Sequence, residues 1–137
     1  MPTGTVATSA RQTQLQVVHT LRKRITFANY ATVVTVGVIP AGASVIGGGI
    51  HVVTAFNSSG TDLADVGFIG STTNGAGYAS ALTLAAVGFI PLDDLATTAN
   101  IQQTVDTTVT VTPTQSVADA TAGVADVIIM FCLNNDG

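Results

Sequence analysis

The sequence is short of charge and lacks several residue types altogether. It contains no Glu, no Trp and one Lys, and only 9% of its 137 residues are charged, against about 25% in typical soluble domains. Exposed helix faces are usually filled with Glu, Lys, Gln and Arg, so long surface helices are not expected. A surface with so little charge favours burial against partner chains.

Cysteine and histidine are scarce as well. Cys132 is the only cysteine, which excludes an intrachain disulfide, and its apolar surroundings predict a small buried side chain rather than a reactive thiol or metal ligand. His19 and His51 are far apart in sequence and form no zinc-binding pattern. His51, which lies between Ile50 and Val52, is expected to have a structural or interface role.

No motif predicts catalysis. Asp93 and Asp94 are the only adjacent acids, and we expect them in a solvated turn, with Ca²⁺ binding as the alternative. The run Gly47 to Gly49 is not followed by the Gly-Lys-Ser/Thr of a phosphate loop, and no Gly-x-Ser-x-Gly elbow is present. We therefore predict a protein that is not an enzyme and uses no metal and no cofactor.

The few charges are segregated along the chain. All four cations lie in the first 24 residues and all eight acids follow them, which predicts an extended basic arm over 1–24 and an acidic body over 25–137. A basic run of three without interleaved aromatic residues does not favour nucleic-acid binding. We predict docking onto an acidic protein surface through the four cations, which are Arg11, Arg22, Lys23 and Arg24.

Val, Thr and Ile dominate the body and favour strands. The alternation is clearest around Thr107, Val109 and Val111, which should share one face with Val105. Strands are predicted at Leu21–Phe27, Thr32–Ile39, Ser44–Phe56, Leu63–Ser71, Phe89–Leu92, Ile101–Thr112 and Ala122–Leu133. About seven short strands separated by turn residues predict an all-β fold, either an antiparallel β-sandwich or a jelly-roll-like barrel.

Three segments need separate interpretation. Tyr78–Val87 is the one plausible helical turn because its Ala and Leu spacing fits a helix. Val127–Leu133 is apolar at every position, as in a strand covered on both faces. Ala31–Phe56 is long enough to cross a membrane, but Pro40-Ala41-Gly42 and Gly47–Gly49 interrupt it and its period is that of a strand, so no membrane span is expected.

Parts of the body resemble small structural proteins of tailed bacteriophages, described as capsid decoration (cement) or head-fibre proteins. The resemblance covers roughly 33–131 and excludes the arm and Leu92–Asn100. It is a likeness of short sequence segments and of their order along the chain. The segments are Ile39–Ile46, Thr54–Asn57 leading into Asp65–Gly67, and Ala122–Val127.

The resemblance implies a virion protein on the outer capsid surface, assembled in the bacterial host cytoplasm. Such a protein forms a homotrimer or another symmetric oligomer and cements neighbouring subunits of the major capsid protein. The alternative is a fibre protein with a receptor- or glycan-binding head. The polar loops Asn57–Asp62 and Thr72–Gly77 would form its binding surface.

Overall fold

The computed structural model describes residues 17–117 and 120–134. Eight strands and two short helical turns make up this part of the chain. The strands are β1 His19–Thr26, β2 Val34–Ile39, β3 Ser44–Thr54, β4 Asp62–Ile69, β5 Thr73–Thr83, β6 Gly88–Pro91, β7 Thr107–Gln115 and β8 Val124–Cys132. A 3-10 turn spans Phe27–Asn29 and a single α-helical turn, α1, spans Thr98–Ile101.

The strands form two antiparallel sheets of four strands each. Sheet A has the order β1-β8-β3-β6 and sheet B has the order β2-β7-β4-β5. The chain crosses from one sheet to the other between β1 and β2, between β3 and β4, between β5 and β6, and between β7 and β8. This is the connectivity of an eight-stranded jelly roll. The predicted all-β antiparallel sandwich is therefore confirmed, with eight strands instead of about seven.

The core lies between the inner faces of the two sheets. Val127 and Ile129 of β8 and Val109 and Val111 of β7 are fully buried there, and Phe68 of β4 is 1% exposed. These residues alternate with outward-facing ones, because successive side chains of a strand point to opposite sides. The predicted shared face of Thr107, Val109 and Val111 is confirmed.

The helical interpretation of Tyr78–Val87 is wrong. Most of this segment belongs to β5, which pairs with β4 through Leu82 opposite Ala64 and Ala79 opposite Val66. Ala and Leu are compatible with either structure, and burial of Tyr78, Ala79 and Leu82 in the core decides for the strand. Ala81, with a φ of 55°, lies between them where the register with β4 shifts.

Other predicted boundaries shift for similar reasons. The strand predicted over Ile101–Thr112 begins only at Thr107, because residues 98–101 form α1 and Val105 is 43% exposed before the strand. Cys132, predicted to be buried, is half-buried because it points away from the core. Asp93 and Asp94 follow β6 outside any strand, as predicted.

The glycine run in β3 follows a bulge and permits a close approach of the neighbouring backbones. The register with β8 shifts between Val45 and Gly47. A Cβ on Gly48, whose φ is +127°, would lie 2.1 Å from the carbonyl oxygen of Ile128, and a Cβ on Gly49 would lie 2.2 Å from that of Ile90. Only glycine fits both positions, since β3 is closely flanked by β8 and β6.

Within the described residues no helix is long and apolar enough to cross a membrane. The predicted arm divides at the start of sheet A, because residues 19–24 belong to β1. Residues 1–16, which include Arg11, lie outside the described residues.

Candidate docking surface

Three of the four cations predicted to dock lie in β1, the edge strand of sheet A. Arg22 and Arg24 pair with Ile128 and Asp126, which point away from the core, whereas Lys23 pairs with the buried Val127. The alternation of the strand therefore separates Lys23 from the two arginines. The basic run does not form one patch of three like charges.

Asp126 holds both arginines on the outer side of sheet A. Arg22 Nη2 donates to Asp126 Oδ2 at 2.6 Å, and Arg24 donates from Nε to Oδ1 at 2.9 Å and from Nη2 to Oδ2 at 3.1 Å. The Asp126 side chain is only 2% exposed, while those of Arg22 and Arg24 are 64% and 56% exposed. The cluster thus carries one net positive charge, and its cationic groups face outward.

The pKa values of the cluster follow from these contacts. The hydrogen bonds from Arg24, with the one from Arg22, lower the pKa of Asp126 to about 2, although burial of the carboxyl opposes the shift. The same hydrogen bond to Asp126 raises the pKa of Arg24. Asp126 and Arg24 therefore remain charged over the whole physiological range.

Charged residues on an edge strand also have a purely structural explanation. A sheet edge exposes unpaired backbone groups, and natural proteins protect such edges with Lys and with charges that point toward the core side. Lys23 is exposed on the core-facing side of β1 and has this arrangement. Protection of the edge is therefore sufficient to explain Lys23, but it does not explain two arginines bound to a buried carboxylate.

The outer face of sheet A continues from the arginines as a mostly apolar surface. β8 contributes half-buried residues, and the two bulges of β3 turn an extra residue outward at Ile46 and at Val53. Ile46 is 50%, Val53 39% and Phe89 of β6 57% exposed. We call this surface the outer patch, and its members are Ile46, His51, Val53, Phe89, Ile128 and Met130.

The polar loops assigned to a receptor-binding head do not form one surface. Asn57–Asp62 precedes β4 and the turn at 70–72 follows it, so the eight residues of β4 hold them roughly 25 Å apart. Asn57 ties its loop to the chain before β8, because its Oδ1 accepts from the backbone N–H groups of Thr121 and Ala122, each at 2.9 Å. Most of Thr72–Gly77 is not a loop at all, since β5 begins at Thr73.

Other polar features have internal partners. In a cleft beside α1, Gln102 Nε2 donates to the carbonyl oxygen of Gly42 at 2.7 Å, and Gln103 Oε1 accepts from the Ser71 hydroxyl at 2.7 Å. Tyr30 donates its phenolic hydrogen to the buried Asp62, and burial of the phenol, together with this bond, raises the pKa of Tyr30. Among residues 17–117 and 120–134 no three His, Cys, Asp or Glu side chains are grouped to hold a metal ion.

Sequence reasoning found the cations but missed their partner. Asp126 is one of eight acids in the sequence. It accepts hydrogen bonds from Arg22 and Arg24, which lie 104 and 102 residues away along the chain. His51 and Phe89 were likewise separate features until the sheet placed them in one row with Asp126. No local sequence signal indicates such a row, because it depends on which strands are neighbours.

Comparison with known proteins gives matches of structure alone. No family model matches the chain, and no curated protein matches it. Three solved structures contain a chain of the same fold. The first is the acidic stable capsid of Helicobacter pylori bacteriophage KHP30, with a TM-score of 0.64 and 17% sequence identity over 85% of this chain and 88% of that chain. The second is the capsid asymmetric unit of cyanophage Pam1, with a TM-score of 0.67 and 22% sequence identity over 85% of each chain. The third is the capsid of Ralstonia phage GP4, with a TM-score of 0.66 and 18% sequence identity over 88% of this chain and 86% of that chain.

These likenesses establish the fold and extend over nearly the full length of both chains in each pair. At 17–22% identity they establish no shared activity, since one fold serves many functions. All three similar chains nevertheless come from structures of phage capsids.

Proposed function

We propose that this chain is a structural protein of a bacteriophage virion that decorates and cements the outer capsid surface. In this role it associates with itself and binds neighbouring subunits of the major capsid protein. The observation that carries the proposal is the likeness to three chains from phage capsid structures, each over at least 85% of both chains. The proposed role is structural and not catalytic.

The surface of the molecule supports a role in assembly. Only 9% of the residues are charged, and three large apolar side chains, those of Ile46, Val53 and Phe89, are exposed together on the outer face of sheet A. Interface centres are poor in charged residues and enriched in aromatic residues, Met and Arg. The outer patch has this composition, with Phe89, Met130 and the adjacent arginines.

The cations supply the proposed electrostatic part of docking. Lys23 has no ion-pair partner among the described residues, and Arg22 and Arg24 share one carboxylate. Together with Arg11 these groups are proposed to face carboxylates on partner surfaces, on a chain whose net charge is −4. Contacts of this exposed kind weaken as salt screens them.

The decisive experiment uses phage particles assembled without this protein. Purified chain added to such particles should bind at regular positions visible by cryo-electron microscopy, and it should raise the temperature at which the particles lose their DNA. A variant with Lys23 replaced by Gln, which leaves both ion pairs of Asp126 in place, should reach lower occupancy, with the difference from wild type largest at low salt. Absence of binding to particles that lack the protein would rule out the cementing role.

The same preparation tests the fibre alternative. A receptor-binding protein would leave capsid stability unchanged and would reduce infection when removed. Intact, heat-stable particles with lost adsorption to host cells would therefore favour a fibre head over a cement protein.

A further inference from the structure

One face of sheet A is left uncovered by the other described residues, 17–117 and 120–134. β8 is a central strand between β1 and β3, and its residues 127–133 are apolar throughout, as expected for a strand covered on both sides. Sheet B covers only the face with Val127 and Ile129, and the opposite face with Ile128 and Met130 is half-buried in a single copy. The sequence of β8 is therefore that of a strand whose outer face is also covered by protein.

The uncovered face is flat where β3 crosses it. A Cβ on Gly47 would lie 3.1 Å from Met130 Cε, and a Cβ on Gly49 would lie 2.8 Å from Phe89 Cζ. The two glycines thus leave room for Met130 and Phe89 to lie across the strand instead of standing up from it. A flat apolar sheet face suits packing against another sheet face about 10 Å away.

Charges of opposite sign lie at or next to the two edges of sheet A. β1 carries the exposed Arg22 and Arg24 at one edge. The other edge is β6, which exposes Phe89 and is followed two residues after Pro91 by the exposed Asp93. A surface with this asymmetry can match itself if the basic edge of one copy meets the β6 edge of another.

We propose that the outer patch binds the outer patch of a second copy of this chain, around a two-fold axis that runs parallel to the strands between β3 and β8. Rotation about such an axis places β1 of one copy over β6 of the second copy and does not shift residues along the strand direction. Each row of residues paired across the four strands therefore faces the same row of the second copy. The row Arg24, Asp126, His51 and Phe89 then meets the same row in reverse order.

Two cross-copy contacts follow from the reversed rows. The Arg24 guanidinium lies opposite the Phe89 ring of the second copy, where a cation and an aromatic face attract each other. Arg22, whose row ends at Pro91, lies within side-chain reach of Asp93 of the second copy. Asp126 fixes both guanidiniums in position beforehand, which reduces the conformational entropy lost on binding.

The other two-fold arrangement is disfavoured by charge. An axis across the strands would place β1 over β1, so that Arg22 and Arg24 of both copies would face each other. Like charges brought together at an interface cost several kcal/mol. Only the axis parallel to the strands brings opposite charges together at both edges.

The area of the face agrees with a reversible dimer. Four strands about 4.8 Å apart and about seven residues long, with about 3.3 Å per residue, cover roughly 450 Å² on each copy. A face-to-face pair would bury on the order of 900–1,000 Å² in total, at the lower end of specific interfaces. This inference deepens the proposed function, of which self-association is one part, by assigning the surface and symmetry of that contact.

The first test is the mass of the free protein in solution, measured by light scattering and sedimentation. Wild type should be a dimer at about 100 µM, since interfaces of modest area commonly have micromolar dissociation constants. Ile46→Asp, which places a carboxylate beside the axis, should raise the dissociation constant at least roughly tenfold. Val38→Asp is the matched control, because Val38 is 54% exposed on the outer side of sheet B, and it should remain dimeric.

The second test fixes the orientation of the two copies. In a Cys132→Ser background, the double variant Arg22→Cys, Asp93→Cys should form covalent dimers with a short bismaleimide, and neither single variant should. Circular dichroism checks that each variant folds.

The results of these two tests bear on the contact between copies and not on capsid binding. A monomeric wild type, an unaffected Ile46→Asp dimer, or cross-linking of Arg22→Cys alone would overturn the proposed contact. Because no capsid is present in either test, such a failure leaves the capsid-binding proposal to its own experiment.

Discussion

At the scale of single residues, Gly48 has a position that no other residue type fits. Its φ of +127° is unfavourable for a residue with a Cβ, and that Cβ would meet the Ile128 carbonyl at 2.1 Å. We expect Gly48→Ala to lower the free energy of unfolding by about 3 kcal/mol or more, from backbone strain plus overpacking. Urea denaturation measures this loss.

Gly75 is the matched control for this substitution. It also lies in a strand, but a Cβ there would meet nothing within 4 Å. Gly75→Ala should therefore change the free energy of unfolding by less than about 1 kcal/mol. Equal effects of the two substitutions would show that the space around Gly48 is not what selects glycine.

Asp126 gives the stability of the protein a defined dependence on pH. Its pKa is about 2 in the folded protein and 3.8 in the absence of its partners. The ionised carboxylate therefore stabilises the fold above about pH 4, and this contribution is lost as the pH falls through the folded pKa. Asp126→Asn removes it, and the difference in free energy of unfolding between wild type and variant should be constant from about pH 5 to 7 and shrink below about pH 4.

The measurement is a series of urea titrations of both proteins over that pH range. The other acids titrate in both, so their contributions cancel in the difference. A difference that is unchanged at pH 2 would mean that the charge of Asp126 does not contribute and that packing alone distinguishes the two proteins.

At the scale of elements, alternation and turn chemistry predict strands well, but they do not predict how strands pair. β7 followed from its alternation of Val and Thr, although it begins at Thr107 and not at Ile101, and β8 followed from its continuous apolar run. β5 was missed because Ala and Leu fit a helix or a strand equally, and its pairing with β4 decides the outcome. The neighbours of β8, which are β1 and β3, lie far from it in sequence, so the ion pairs of Asp126 could not be predicted even though every participating residue was visible.

The position of β1 changes the expectation for shortened chains. An arm ending at residue 24 would be removable without harm to the body, but residues 19–24 form most of β1. Deleting 1–16 leaves all eight strands of the described residues whole, so we expect the melting temperature to be preserved. Deleting 1–24 removes Leu21 from the edge of the core, exposes β8 as a new sheet edge and leaves Asp126 without partners, so the free energy of unfolding should fall by at least about 3 kcal/mol.

Thermal denaturation followed by circular dichroism distinguishes the two deletions. It also determines which of them can test the arm in capsid binding, since a poorly folded chain loses binding for trivial reasons. Equal melting temperatures for both shortened chains would show that β1 contributes nothing to the stability of sheet A.

At the scale of the whole molecule, the two proposed contacts reinforce each other. A dimer that binds two neighbouring capsid subunits gains avidity, because the second contact forms at the high effective concentration set by the first. Ile46→Asp should therefore lower the apparent affinity for particles by roughly a hundredfold, although its substitution lies in the outer patch and not on a surface facing the capsid.

The covalent dimer formed by Arg22→Cys, Asp93→Cys distinguishes avidity from direct contact of the outer patch with the capsid. In this dimer the outer patches cover each other, and dilution cannot separate the copies. If avidity explains the loss in Ile46→Asp, the covalent dimer should keep high occupancy on particles at dilutions where wild type dissociates. If the outer patch itself binds the capsid, the covalent dimer should bind worse than wild type, because the surface that the capsid needs is already occupied.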